Sequence, residues 1–422
     1  MTTHHPKVLA LILAGGKGSR LEVLSQVRAK PAAPFGGTYR LIDFALSNCV
    51  HSRVGDVWVL EQYQLHSLND HLSSGRPWDL DRTYGGLRTL PPYQSPEEGE
   101  GGFAKGNADA LWRHRHALEA FAPDVLLVLS ADHLYRMDYR DLVDAHLAAM
   151  ASGAAVTCVV TEVGRERASR YGVVEADGEG RITRFDYKPE SPRGGTVTTE
   201  VFAYTPRALL DALQALGEEG EKGGESIGDF GHKLLPRLVG EGRARVHRFE
   251  GYWRDVGTLD SYWQAHMDLL GERPALELYQ PQAPLLSHSL PRPPARVLPG
   301  GELADALLSP GSVVAGRVER SVVGPGVRVE AGAVVRDSVL MEDVVVEAGA
   351  RVEMALVDEA ARVGRGAHVG AARAGEGRPA PEALAVVGQQ VQVPPGGRVA
   401  PGERLAPDAR ADWRSHAPPR AG

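Results

Sequence analysis

A basic turn carrying three glycines is the part of this chain best suited to chemistry. After the apolar run 8–13 come Ala14-Gly15-Gly16-Lys17-Gly18-Ser19-Arg20, and Arg28-Ala29-Lys30-Pro31 follow shortly. Glycines let the backbone approach a ligand closely and aim its N–H groups at it. Arg20 and Lys30 add cations at the end of the strand, where open α/β sheets bind ligands. The combination suits a polyphosphate. The spacing excludes a P-loop, which needs Gly-x-x-x-x-Gly-Lys-Ser/Thr, and a dinucleotide fingerprint, which needs Gly-x-Gly-x-x-Gly. The glycines alone would mark only a tight turn; the two cations make it a phosphate site.

Two kinds of element must position these residues. Strands are expected at 8–13, 57–60, 125–130, 155–160 and 201–204, and helices near 108–121, 139–150 and 207–216. Their alternation predicts an α/β domain with a largely parallel, Rossmann-like sheet over residues 1–271. Prolines 274, 281, 284, 291, 293, 294 and 299 predict an extended linker over 272–300. Beyond it, segments 321–337, 338–354 and 355–371 align at a constant offset. Val323, Leu340 and Val357 coincide, as do Val329, Val346 and Val363, and then Val335, Val352 and Val369. Within a segment these positions lie one hexapeptide apart, with Gly332, Gly349 and Gly366 recurring before the third. This is the pattern of a β-helix, whose coils share one aliphatic core, and it assigns 301–422 to that domain. Val387, Val393, Val399 and Leu405 resume the step after a Gly-, Ala- and Pro-rich interruption.

Composition narrows the function classes. At 422 residues, 43% hydrophobic and 24% charged, the chain reads as a soluble protein of more than one domain. No apolar run approaches the roughly 20 residues that cross a bilayer. The opening residues lead directly into a strand, so no signal peptide is expected. Cys49 and Cys158 are the only cysteines, which suits a reducing cytoplasm and offers no zinc pattern. A net charge of −7 argues against nucleic acid as the main partner.

The glycine turn resembles the signature of sugar-nucleotide pyrophosphorylases, with Ser19 where threonine is usual. Further stretches are similar to the glucose-1-phosphate adenylyltransferase family: Arg40-Leu41-Ile42-Asp43-Phe44-Ala45-Leu46-Ser47-Asn48-Cys49, Gln62-Tyr63-Gln64, Gly106-Asn107-Ala108-Asp109-Ala110, Ser130-Ala131-Asp132-His133-Leu134-Tyr135, Asp229-Phe230-Gly231 and Tyr252-Trp253-Arg254-Asp255-Val256-Gly257-Thr258. They run in family order, and the family carries a C-terminal left-handed β-helix. The resemblance implies ATP + α-glucose 1-phosphate ⇌ ADP-glucose + pyrophosphate, with Mg²⁺, feeding glycogen or a related α-glucan, in an allosteric homotetramer or a hetero-oligomer with a paralogue. It implies catalytic roles for Arg20, Lys30 and Asp132. It places the nucleotide on Ala14, Gly15, Gly16, Gly18, Ser19, Gln62, Gly106 and Asp109, with Gly106 close to adenine. The sugar phosphate falls to Lys188, Thr198, Glu200 and Asp255.

The chemistry agrees. A sugar phosphate can itself attack the α-phosphorus, so the protein needs no nucleophile; it must align two anions and stabilise the departing pyrophosphate. Asp132 follows a strand and Asp255 sits in a glycine-flanked turn, and together they could hold one Mg²⁺. Taken singly, Asp132 could equally cap a helix and Asp255 bond nearby backbone. His133 is expected to be structural, because a phosphate dianion has no proton to lose.

Three positions depart from the family. Its Glu-Lys-Pro is Tyr187-Lys188-Pro189 here, its Ser-Met-Gly-Ile-Tyr is Thr198-Thr199-Glu200-Val201-Phe202, and its Trp-Tyr-Arg-Gly is Phe103-Ala104-Lys105-Gly106. One wall has lost an acid and another has gained one, so Glu200 is expected either to replace the missing hydroxyl-binding carboxylate or to point to solvent on an edge. Asp186, beside the lost acid, should face away. Another sugar 1-phosphate or nucleotide, a catalytically weak regulatory subunit, and a hexapeptide acyltransferase using His368 are the competing readings.

Overall fold

Leu9, Ala10, Leu11 and Ile12 are fully buried because β1 (Val8–Ala14) presents alternate side chains to two separate cores. The computed structural model describes residues 5–16, 18–92, 104, 106–223, 226–373, 375 and 378–407. A small hairpin, β2 (Pro34–Phe35) and β3 (Tyr39–Arg40), leads into α1 (Ile42–His51), followed by β4 (Asp56–Glu61), α2 (Leu65–Leu72) and β5 (Gly86–Leu90). Next come α3 (Asn107–Arg113), α4 (Arg115–Phe121), β6 (Val125–Ser130), β7 (His133–Tyr135) and α5 (Tyr139–Met150). The single helix expected over 108–121 is broken at His114, whose φ of −97° and ψ of 10° leave the helical region. Then follow β8 (Val156–Glu162), α6 (Arg165–Ala168), β9 (Gly172–Ala176), β10 (Ile182–Tyr187), β11 (Thr196–Tyr204), α7 (Pro206–Gly223), α8 (Leu235–Gly240), β12 (Ala244–Arg248), β13 (Trp253–Asp255) and α9 (Leu259–Met267).

Strands β5, β4, β1 and β6 are parallel neighbours. Antiparallel β11 closes that run, pairing with β6 on one side and with β8 and β9 on the other. Parallel neighbours place their carboxyl ends along one edge, as open α/β sheets do at their ligand sites. The ends of β1, β4 and β6 therefore deliver the glycine turn, Gln62 and Asp132 to one place.

Residues 272–300 carry little regular structure, yet they pack on the first domain. Ser47 Oγ accepts from the Leu286 amide at 2.9 Å, Trp78 Nε1 donates to the Leu286 carbonyl at 3.2 Å, and Arg136 donates to the Ala283 carbonyl. The coils begin inside this stretch, since strand Arg296–Val297 pairs with Val313–Val314. From there every strand pair is parallel, and the nine repeat positions read from the sequence form stacks that are at most 1% exposed. Gly332, Gly349 and Gly366 turn the corners at φ of 65–75°, a conformation that costs other residues energy.

The two domains share a core. Leu21, Phe44 and Trp263 cluster with Val322, Leu356 and Val386 of the coils. Beside this core the buried Arg28 guanidinium bonds Asp358 at 2.8 Å and Glu359 at 2.9 Å, and Arg40 reaches Glu359 at 2.7 Å. Burial opposes the charge on Arg28, but the two carboxylates outweigh it and raise its pKa.

Candidate active site

Gly18, at φ 66°, ends the glycine turn and starts a short 3₁₀ segment, Ser19–Ser25. A side chain on Gly18 would strike Lys30 Cβ and Ser25 Cβ at 3.1 Å. That close approach seats Lys30, 6% exposed, beneath the turn. Ser19 and Arg20 are exposed. Lys17 lies outside the described residues.

Asp132 leaves the end of β6. Strand β13 then pairs antiparallel with β7, setting Asp255 opposite His133 and bringing the two sequence-distant aspartates together. The Lys30 ammonium ion-pairs with Asp132 and lies 3.9 Å from Asp255 Oδ1. Burial alone would raise the Asp132 pKa, but Lys30, His133 and the Ser130 hydroxyl hold it well below the usual carboxylate range. On Lys30, burial disfavours the charge, while Asp132 and Asp255 more than restore it and raise the pKa. This side-chain pairing goes beyond the capping role that Asp132 could have had alone.

His133 Nδ1 lies 3.0 Å from the Thr199 carbonyl, which fixes the ring by an N–H donated to that oxygen. Its Nε2 is 3.8 Å from Asp255 and Glu200 and 3.9 Å from Asp132. Burial lowers the His133 pKa, but Glu200, Asp132 and Asp255 outweigh it and leave the pKa raised. Trp253 packs edge-on to this ring at 5.3 Å.

A cavity of about 160 Å³ opens beside the carboxylates; Tyr171, Tyr187, Thr198, Glu200, Phe202 and Asp229 are among its walls. Thr198 and Glu200 both belong to β11, whose pairing with β8 slips between Thr198 and Phe202. At this bulge Glu200 takes φ 56°, a left-handed conformation unusual for a residue with a side chain. Burial raises the Glu200 pKa, with His133 opposing the shift. Tyr187 stands across the cavity, packed so closely on Gly231 that a Cβ there would lie 2.1 Å from its ring, and edge-on to His232 at 4.6 Å. Asp186 is paired with Arg184 at 2.8 Å and does not line the cavity. Lys188 is not among the cavity walls; its Nζ lies 4.6 Å from the ring of the wall residue Tyr187. Burial lowers its pKa, but the Tyr187 hydroxyl and Glu200 raise it further.

A second cavity, about 30 Å³, adjoins the first through Leu13 and Asn107, with Gly15, Gln62, Arg113 and His114 among its walls. Gln62 Nε2 donates to the Ala104 carbonyl at 2.8 Å. Gly106 and Asp109, expected at the nucleotide, line neither cavity. Gly106 is small because a Cβ would lie 2.4 Å from the Gly228 backbone. Asp109 turns to Arg113 at 3.2 Å. Their neighbour Asn107 lines both cavities instead, its amide held by Asp229 Oδ1 at 3.0 Å. Sequence reasoning missed Asn107, Tyr171 and Asp229 as wall residues, although the first and last lie within the motifs. Phe103 and Lys105 lie outside the described residues.

Oxygen ligands converging on one cation, next to a glycine turn and a two-lobed cavity, suit the handling of a nucleotide and a second phosphate ester. The model of the nucleotidyl transferase family matches residues 9–272, and that of the GlmU-like C-terminal hexapeptide matches 293–379. Proteins named glucose-1-phosphate adenylyltransferase are similar over most of the chain. The one from Thermotoga sp. (strain RQ2) is 44% identical over 330 residues, 78% of this chain and 76% of the relative. That from Acetivibrio thermocellus is 38% identical over 344 residues, 81% and 79% of the two chains. The Clostridium acetobutylicum protein is 39% identical over 330 residues, 78% and 84%. The chain belongs to the glucose-1-phosphate adenylyltransferase family of nucleotidyl transferases.

Proposed function

We propose that this protein transfers the adenylyl group of ATP to α-glucose 1-phosphate, giving ADP-glucose and pyrophosphate. The observation that carries the reading is the Lys30 ammonium held between Asp132 and Asp255 at the edge where the glycine turn emerges. A phosphate oxygen of the sugar attacks the α-phosphorus; the bond to the β-phosphate bridging oxygen breaks, and pyrophosphate leaves with that electron pair. The turn and Arg20 hold the triphosphate, Gln62 and Asn107 line the base side, and Lys188, against the wall residue Tyr187, meets the sugar phosphate. Lys30 keeps Asp132 ionised and holds the two aspartates in line. Asp132 and Asp255 offer only oxygen donors, which suits Mg²⁺, and the ion when bound would neutralise phosphate charge.

The same reading extends to a soluble, cytoplasmic homo-oligomer under allosteric control that supplies α-glucan synthesis. No described helix is long and apolar enough to cross a membrane. The exchange of an acid between Tyr187 and Glu200 favours a second reading at one point only, a different preferred hexose 1-phosphate.

Pyrophosphate release across a panel of nucleoside triphosphates and sugar 1-phosphates tests both. ATP with glucose 1-phosphate should give the highest kcat/KM, and Asp132→Asn should reduce it by about 10²–10³ while the fold persists, roughly 3–4 kcal/mol of barrier. A higher value for another sugar would transfer the assignment to that sugar, and activity of Asp132→Asn within a few-fold of the parent would remove Asp132 from the machinery.

A further inference from the structure

The coils turn from strand Arg351–Glu353 to strand Ala355–Val357 across Met354 alone. One coil later the same corner is different: after strand His368–Gly370 the chain leaves the solenoid and rejoins it only at Ala385–Val387. The described residues of this excursion, 371–373, 375 and 378–384, reach back to the first domain. Arg373 places its guanidinium 5.4 Å from the Trp263 ring on α9. Arg378 pairs with the buried Asp260 and donates to Thr258 Oγ1 at 3.1 Å, both at the start of α9. The far end of the excursion is pinned by Arg404, which donates to the Leu384 carbonyl at 2.6 Å and the Pro381 carbonyl at 2.8 Å. The same guanidinium bonds Glu22.

These contacts meet the candidate active site on two sides. Glu22 is two residues past Arg20 and holds φ 50° inside the 3₁₀ segment. Thr258 caps α9 directly after Asp255, Val256 and Gly257, and Ser261 Oγ on that helix donates to the Asp255 carbonyl. Gly257 is where the two sides touch: a Cβ there would lie 3.0 Å from Arg20 Nη2 and 2.9 Å from Asp255 Oδ1. The Arg20 guanidinium thus rests on the turn that Arg378 holds, while its backbone runs into the residue that Arg404 holds.

We propose that the described residues of this excursion form a strap from the β-helix, and that Arg378 and Arg404 are positioning residues that set Arg20 against Asp255 for the adenylyl transfer. The inference rests on the proposed function for its chemistry and on the contacts alone for its mechanics. Arg378 reaches both the Asp260 carboxylate and the Thr258 hydroxyl through Nη2, so a lysine ammonium, shorter and without the planar guanidinium, can restore only part of the contact. A small displacement of a reacting group is enough to cost a large factor in rate.

The test compares the full-length parent with Arg378→Ala, Arg378→Lys and Arg404→Ala, by amide hydrogen exchange and by steady-state pyrophosphate release. Arg378→Ala should speed exchange locally over 256–262 and lower kcat about ten- to a hundredfold with a smaller change in KM for ATP. Arg378→Lys should recover part of the loss. Arg404→Ala should speed exchange over 18–24 and lower kcat in the same way. Unchanged exchange at 256–262 in Arg378→Ala overturns the strap. Faster exchange with unchanged kcat overturns the positioning role, and so does a uniform rise in exchange across the protein, which would mark a general loss of stability. A parent that releases no pyrophosphate counts against the proposed function, and the exchange measurements still decide the strap.

Discussion

Glu200 is a residue held in a conformation that suits glycine better, at the wall of the larger cavity. A left-handed φ costs a non-glycine residue about 1–2 kcal/mol. Its Oε2 is 3.8 Å from His133, and its side chain is 44% exposed, so the carboxylate is open to a ligand. Replacing it by glycine separates the two consequences. Glu200→Gly should raise the melting temperature by relieving the backbone, and it should raise the KM for the sugar phosphate by about tenfold or more, the worth of one hydrogen bond to a charged group. Thermal unfolding and sugar kinetics on one variant check both. A KM and a sugar preference that stay at the parental values would leave Glu200 without a role in sugar binding.

Two helices carry buried imidazoles that favour the uncharged form. His146 of α5 is fully buried, with Nδ1 2.9 Å from Thr157 Oγ1 on β8. His266 of α9, 1% exposed, bonds the Tyr262 carbonyl through Nδ1 at 2.9 Å. Burial lowers both pKa values, in each case to about 4. A depressed folded-state pKa means that the unfolded chain binds the proton more readily. The stability these sites contribute is therefore complete above about pH 6.5 and is lost as pH falls towards 4. Each site should account for on the order of 2–3 kcal/mol across that window. Melting temperatures from pH 7 to 4 should fall less steeply for His146→Gln than for the parent; equal slopes would show that His146 is not one of the titrating groups.

The element scale also shows what local sequence encodes. Hexapeptide steps specified the aliphatic stacks because each coil repeats the same environment, and the buried run 8–13 specified a strand because period and composition are local properties. The turn, Lys30 and Asp132 were legible for the same reason, each lying at the end of a strand that could be read. That Gly106 and Asp109 line neither cavity could not be read in advance, because a glycine that packs on backbone and one that faces a ligand look identical in sequence. Arg378–Asp260, Arg404–Glu22 and Arg28–Asp358 were invisible: each joins residues far apart in the chain, across a domain boundary that no periodicity marks.

At the scale of the whole molecule the first coil is unfinished. Strand Arg296–Val297 is an edge of one sheet and strand Glu302–Leu308 is bonded on one side only, while Leu290, Val297 and Leu303 are exposed. An open edge with apolar residues is a surface that pairs readily with another chain. The homo-oligomer proposed above would cover it with a second copy. Sedimentation of the full chain should then give an assembly larger than one subunit at micromolar concentration, and Val297→Lys combined with Leu303→Lys should shift it to smaller species. A parent that sediments as a monomer contradicts the assembly, and an unshifted double variant moves the contact elsewhere.

The corner at 371–384 has a bearing on how such a molecule changes over generations. Val357 pairs with Val387, Val363 with Val393 and Val369 with Val399, so the ladder closes in register on both sides of the departure. The core of the coils does not register how many residues were spent outside it. A gain or loss of codons at this corner leaves every stacked valine where it was, whereas one codon inserted within a strand would turn the following side chains to the wrong face. A solenoid corner is thus a site of cheap heritable novelty. Here the corner carries a loop that touches the neighbouring domain, and the fold beneath it keeps its register.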